Sequence, residues 1–187
     1  MKMNKFDMMQ DIDHILVSEE DLQARIREVG AQISRDYAGK CPVLVGVLRG
    51  VVPFYAAMTQ AITIPLEEDF MSVSSYEGTS STGVLNIRKD LDCDIAGRDV
   101  IILEDILDTG HTLSCIMEIF RQRNPRSLKI CTMLDKPEGR TVPLEADYVC
   151  FRVPNEFVVG MGLDYNNYYR NLPFVGVLKP EVYSSGD

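Results

Sequence analysis

Residues 100–112 read VIILEDILDTGHT: four apolar residues, then the carboxylates Glu104, Asp105 and Asp108, then the small hydroxyl-bearing turn Thr109, Gly110, His111, Thr112. The two halves of this stretch suit one kind of ligand. Backbone N–H groups and hydroxyls at the start of a helix favour an anion such as a phosphate. Carboxylates just before such a cradle accept hydrogen bonds from sugar hydroxyls, or hold Mg²⁺ on a diol or a diphosphate. A ribose 5-phosphate asks for both. The nucleotide-triphosphate pattern G-x-x-x-x-G-K-[ST] is absent and no G-x-G-x-x-G follows a strand-like run, which disfavours a dinucleotide.

These residues need a frame. The β-branched run 100–103 suits a strand buried on both faces of a parallel sheet, which puts Glu104 and Asp105 at its carboxyl end, where ligands of open α/β sheets bind. Leu113, Ile116, Met117 and Phe120 then form one helical face ending before Asn124-Pro125. The same scheme occurs earlier: 43–48 is a buried-type run, Arg49-Gly50 a tight turn, and Pro53 fits the first turn of a helix reaching about Gln60. Ser18 with Asp21 reads as an N-cap, followed by Leu22, Ile26, Val29 and Ile33 at helical spacing. Runs at 128–134, 148–151 and 174–178 supply further strands. Alternating strands and helices predict an α/β fold with a mostly parallel sheet. The small polar run 72–83, SVSSYEGTSSTG, cannot bury much surface and is a candidate lid.

Composition narrows the classes. With 187 residues and no linker-like shift, one domain spanning the chain is expected. A net charge of -9 argues against a nucleic-acid partner, whose phosphates call for a clustered basic surface. Five cysteines without a C-x-x-C pair, two of them (Cys131 and Cys150) in apolar runs, point to free thiols in a reducing compartment. No stretch is apolar enough to span a membrane and the N-terminus lacks a signal-type core, so a cytoplasmic protein is expected.

EDILDTGHT resembles the phosphoribosyl pyrophosphate (PRPP) motif of type I phosphoribosyltransferases. With it stand VLRG at 47–50, SSY at 74–76, LDKP at 134–137 and PNEFVVGMGLDYNNYYR at 154–170. The combination is similar to the hypoxanthine-guanine branch and covers the chain from about Ser18 to Leu178. The resemblance implies a parallel-sheet core, a lid loop at about 72–88, and a small hood formed by the N-terminal segment and about 150–187. It implies purine salvage: transfer of the phosphoribosyl group of PRPP to hypoxanthine or guanine, giving IMP or GMP and pyrophosphate, with Mg²⁺ as cofactor and a homodimer or homotetramer as the assembly.

Residue by residue, the resemblance gives Glu104 and Asp105 the ribose hydroxyls, directly or through Mg²⁺, and Asp108 the proton at purine N7. Thr109, Gly110, His111 and Thr112 match the 5′-phosphate loop. Arg49 and Gly50 match the pyrophosphate loop, which in this family carries a non-proline cis peptide before the basic residue. Lys136 matches the donor to the exocyclic O6, Phe157 the ring stacked on the base and Val158 the backbone reading the 2-position. Asp164 matches a ligand of the Mg²⁺ on pyrophosphate and Arg170 the grip on that leaving group, while Ser75 and Tyr76 ride on the lid. His111 and Met161 depart from the residues common at their positions.

Each feature also has a plainer reading. Glu104 and Asp105 could form a solvated strand end, Asp108 an N-cap, Phe157 and Val158 ordinary core, and Lys136 a surface residue in a turn. A xanthine-preferring enzyme, a non-catalytic regulator of the same fold and a simple ribonucleotide-binding module are the alternative functions.

Overall fold

The computed structural model of the chain describes residues 8–75 and 85–184. In chain order its elements are β1 (Ile12–Val17), α1 (Glu19–Asp36), β2 (Val43–Leu48), α2 (Val52–Ala61), β3 (Glu67–Ser75), β4 (Leu85–Lys89), β5 (Asp99–Leu107), α3 (His111–Arg121), β6 (Ser127–Asp135), β7 (Tyr148–Arg152), β8 (Val158–Val159), β9 (Val175–Leu178) and the single turn α4 (Pro180–Tyr183). Six strands form one sheet in the order β4-β3-β2-β5-β6-β7. It is parallel except for β4, which runs antiparallel to β3 at the edge.

Period-two patterning builds the two faces. Leu44, Ile101 and Cys131 pack with Leu22 and Ile26 of α1 and Phe54 and Met58 of α2. Their strand neighbours Val43, Val45, Val100, Ile102 and Ile130 pack with Leu113, Ile116 and Phe120 of α3. With both faces covered, the central strands read as continuous apolar runs, as a buried parallel sheet requires. Ser18 caps α1, accepting a hydrogen bond from the Asp21 amide at 3.1 Å.

The last apolar run does not join this sheet. β9 pairs antiparallel with β1 and β8 in a separate three-stranded sheet contributed by the two ends of the chain. One side of that sheet, through Val17, Val158 and Val175, merges with the α1/α2 core. The other holds a core of its own around Ile12, Val159, Tyr169 and Phe174.

Two expectations need correction. β5 does not stop at Leu103 but runs to Leu107, because β6 supplies ladder partners as far as Leu107↔Asp135 after pairing with β2 has ended at Leu103. Glu104 and Asp105 therefore lie inside the strand, and Asp108 is the first residue past it. The lid expected at 72–83, or at about 72–88 from the resemblance, is strand at its ends and not loop: Ser72–Ser75 backbone pairs with Leu85–Lys89. Residues 76–84, Tyr76 included, lie outside the described residues.

Candidate active site

Three loops converge where β2, β5 and β6 end side by side. Arg49 and Gly50 follow β2, Asp108 follows β5 and Lys136 follows β6. The Leu48–Arg49 peptide is cis, as the resemblance implies. Gly50 lies against Asp105, since a Cβ built on it would stand 1.8 Å from Asp105 Oδ2. Gly162 closes on the same spot from the segment after β8: its Cβ would lie 1.8 Å from the Gly50 carbonyl oxygen.

The two acids of β5 are not a solvated strand end. Asp105 is buried, its Oδ1 accepting from the Ile106 amide at 2.8 Å. Burial pushes its carboxyl up to about 6, against the pull of Ile106 and the Arg170 guanidinium. Glu104 is driven well above the usual carboxylate range, by burial first and by the Asp105 charge second. Among the described residues its Oε2 is the one buried side-chain polar atom without a hydrogen-bond partner. Such an atom is costly to leave unpaired, and it marks where a ligand's donor or a cation is wanted.

Asp164 and Arg170 form a pair, Arg170 Nη2 to Asp164 Oδ1 at 2.6 Å, and Arg170 Nη1 donates to the Gly162 carbonyl at 2.7 Å. The arginine thereby ties this segment to the Gly50 junction, and its charge acts on Asp105. The expected metal ligands Glu104, Asp105 and Asp164 do not enclose a cation by themselves. Among the described residues no group of three His, Cys, Asp or Glu is arranged to hold one. Their oxygen donors suit a hard cation that takes the rest of its ligands from substrate and water.

Asp108 does not cap the helix. The cap position of α3 is Gly110, at φ 84°, with no side-chain cap bond, so the helix starts at His111 rather than Leu113. Its first amides stay without a side-chain cap, and Thr109, His111 and Thr112 are exposed around them. Asp108 Oδ2 is instead 3.8 Å from Lys136 Nζ. Lys136 is no surface lysine: it is 6% exposed and donates to the Glu156 carbonyl at 2.5 Å. Phe157 is not core, at 38% exposed, with its ring stacked on Tyr183 at 4.8 Å and edge-on to Tyr165 at 5.6 Å. Val158, in β8, is buried and pairs with Val177. Of Ser75 only the backbone is described, at the end of β3 opposite Leu85.

A model of the phosphoribosyl transferase domain matches residues 16–166. The chain belongs to this family. It is 54% identical to a hypoxanthine-guanine phosphoribosyltransferase of Streptococcus pneumoniae over 94% of this chain and 98% of that one. The corresponding enzyme of Streptococcus thermophilus is 56% identical over the same shares. Among solved structures, a hypoxanthine phosphoribosyltransferase from Staphylococcus aureus superposes with a TM-score of 0.92 at 50% identity, covering 97% of this chain and 99% of that one. A Trypanosoma cruzi hypoxanthine phosphoribosyltransferase superposes with a TM-score of 0.90 at 40% identity, covering 94% and 96%. This chain is thus a phosphoribosyltransferase of type I fold.

Motif reading alone misses part of this phosphoribosyltransferase site. Arg140 and Thr141 reach back to the carbonyls of Asp108 and Thr109, and Asp135 holds the arginine. In sequence they sit in the polar stretch after Lys136-Pro137, which looks like any solvated turn. Gly162 is equally silent, because a close approach to another loop leaves no trace in spacing.

Proposed function

We propose that this phosphoribosyltransferase transfers the 5-phosphoribosyl group of PRPP to a 6-oxopurine, hypoxanthine or guanine, releasing pyrophosphate. The observation that carries the reading is the convergence of Asp108 and Lys136, an acid and a buried cation from the ends of neighbouring strands. A 6-oxopurine presents a proton on its five-membered ring and an acceptor at O6. Asp108 takes the ring proton as N9 forms its bond to C1 of the ribose, and Lys136 donates to O6. Lys136 carries three donors and has one engaged with Glu156, so it has capacity left for the base.

As the bond from C1 to the pyrophosphate oxygen breaks, its electron pair leaves with pyrophosphate and positive charge builds on the sugar. Arg170 and the Arg49-Gly50 turn steady the departing anion, and Glu104 with Asp105 accept from the ribose hydroxyls. The amides and hydroxyls of Thr109, Gly110, His111 and Thr112 hold the 5′-phosphate, while Phe157 offers its exposed face to the base and Val158 its backbone to the 2-position. Glu104, Asp105 and Asp164 would hold Mg²⁺ together with substrate oxygens, and a bound Mg²⁺ neutralises charge on the pyrophosphate. The unpartnered Glu104 Oε2 supports that assignment.

The partners in this reading are small molecules, in keeping with a net charge of -9. Free cysteines, with Cys131 and Cys150 buried, support a cytoplasmic setting, and a homodimer or homotetramer is the assembly to be checked by sedimentation. Among the described residues no helix is long and apolar enough to cross a membrane. The test is formation of IMP from PRPP and hypoxanthine with one pyrophosphate released per nucleotide, dependent on Mg²⁺ and abolished by chelation. PRPP binding without nucleotide formation from any purine would instead favour a regulator.

A further inference from the structure

The segment following Lys136 grips the anion loop from behind, through its carbonyl oxygens. Arg140, only 13% exposed in its side chain, donates from Nε to the Asp108 carbonyl at 2.7 Å and from Nη2 to the Leu107 carbonyl at 3.0 Å. Its other contacts anchor it: Nη2 also meets the Asp135 carboxylate and Nη1 the Leu144 carbonyl. The next residue continues the row, as Thr141 donates to the Thr109 carbonyl from its amide at 3.1 Å and its hydroxyl at 3.2 Å. Three successive carbonyls, of residues 107, 108 and 109, are thus held by the 136–141 segment, the Lys136 amide adding a bond to the first at 3.0 Å.

That row decides where the following amides point. In a planar trans peptide the C=O and N–H lie on opposite sides, and among the described residues the cis bond is Leu48–Arg49 alone. Holding these three carbonyls toward Arg140 and Thr141 therefore turns the N–H groups of Asp108, Thr109 and Gly110 the other way, away from the clamp. The fit is close: a Cβ on Gly110 would lie 2.8 Å from Val142 Cγ2 and 3.1 Å from Arg140 Cδ.

We propose that Arg140, seconded by Thr141, is a positioning residue that presents the anion-loop amides to a phosphomonoester; the proposal rests on reading residues 109–112 as the 5′-phosphate cradle. Arginine suits the task because its planar fork meets several carbonyls at fixed angles, which the single ammonium of lysine cannot copy. A cation behind the carbonyls also polarises the peptides, which strengthens their N–H groups as donors on the far side.

The experiment compares full-length wild type with Arg140→Lys, Arg140→Ala and Thr141→Val. It measures KM for PRPP and for hypoxanthine, kcat, the thermal midpoint, and calorimetric binding of inorganic phosphate, which needs no turnover. Arg140→Lys should raise KM for PRPP and Kd for phosphate about 10- to 100-fold, as expected for lost charge-assisted hydrogen bonds, and leave KM for hypoxanthine nearly unchanged. Thr141→Val should act in the same direction by a smaller factor, and decides the matter if both Arg140 variants fail to fold. Millimolar guanidinium should restore PRPP affinity to Arg140→Ala, and methylammonium should not. Unchanged PRPP and phosphate affinities in folded variants, or equal rises in KM for PRPP and hypoxanthine, would overturn the proposal. Absence of PRPP turnover in wild type would strike the functional reading instead, while weaker phosphate binding in the variants would still uphold the clamp.

Discussion

Gly50 and Asp105 touch at a point where no side chain fits. A Cβ at position 50 would stand 1.8 Å from Asp105 Oδ2, and the Gly50 carbonyl leaves equally little room for a Cβ at Gly162. The turn after β2, the Asp105 carboxylate of β5 and the segment carrying Asp164 and Arg170 are thus held in close approach at two glycines, and a shift at one is felt at the others.

Gly50→Ala should accordingly damage the site more than the fold. Forcing one methyl into this junction costs about 1–3 kcal/mol, as overpacking does, and lowers the thermal midpoint by a few degrees. Displacing Asp105 and the Arg49 turn together should lower kcat/KM for PRPP by at least about tenfold. Steady-state kinetics beside a melting curve separates the two effects; wild-type kinetics with a normal melting point would show that the junction is loose.

Asp108 is half-exposed, 3.8 Å from Lys136, and free of any capping duty. If it exchanges the purine proton, Asp108→Asn should lower kcat roughly 10²–10⁴-fold while PRPP binding barely moves. Single-turnover rates and a PRPP titration are the pair to measure. A variant within about threefold of wild type would remove Asp108 from the chemistry.

The acids of β5 also set a pH dependence for the metal-free protein. Burial raises the Asp105 carboxyl from 3.8 to about 6, so the folded state holds this proton more tightly than the unfolded chain. The stability it contributes is full below the unfolded value and is lost as pH rises through about 6. Glu104 acts in the same sense and extends the decline upward. Asp99, held low by Arg126, and Asp90, held low by Arg123, act oppositely but only at pH values below the ordinary carboxylate range. Urea unfolding should therefore show stability falling as pH rises from about 4 through about 6, and Asp105→Asn should remove about 2–3 kcal/mol of that fall. Equal slopes in the two proteins would contradict the buried-acid account.

Much of this was legible in the sequence. Helical spacing located Leu22, Ile26, Val29 and Ile33, and the apolar runs at 43–48, 100–103 and 128–134 marked the central strands. β1 escaped because Asp13 and His14 interrupt its apolar alternation, and β3 because Glu67, Glu68 and Asp69 hide its first half. The end of β5 was misplaced because a ladder partner, not the strand's own residues, carries it to Leu107. In the candidate site, motifs singled out Asp108, Lys136 and Arg170. Arg140 could not be found that way, since its partners are carbonyl oxygens, which every residue possesses.

In the proposed function a buried lysine, Lys136, selects a 6-oxopurine. Adenine carries an amino group where hypoxanthine carries O6, so it turns hydrogens toward Lys136 and leaves the cation unpaired. The direct measurement is kcat/KM for hypoxanthine and adenine, with PRPP and Mg²⁺, in wild type and in Lys136→Ala. Wild type should prefer hypoxanthine by as much as about 10⁴-fold, and Lys136→Ala should lose activity on hypoxanthine and narrow that ratio. Comparable wild-type values for the two bases would contradict the assignment, and an unchanged ratio in the variant would mean that another group reads the 6-position.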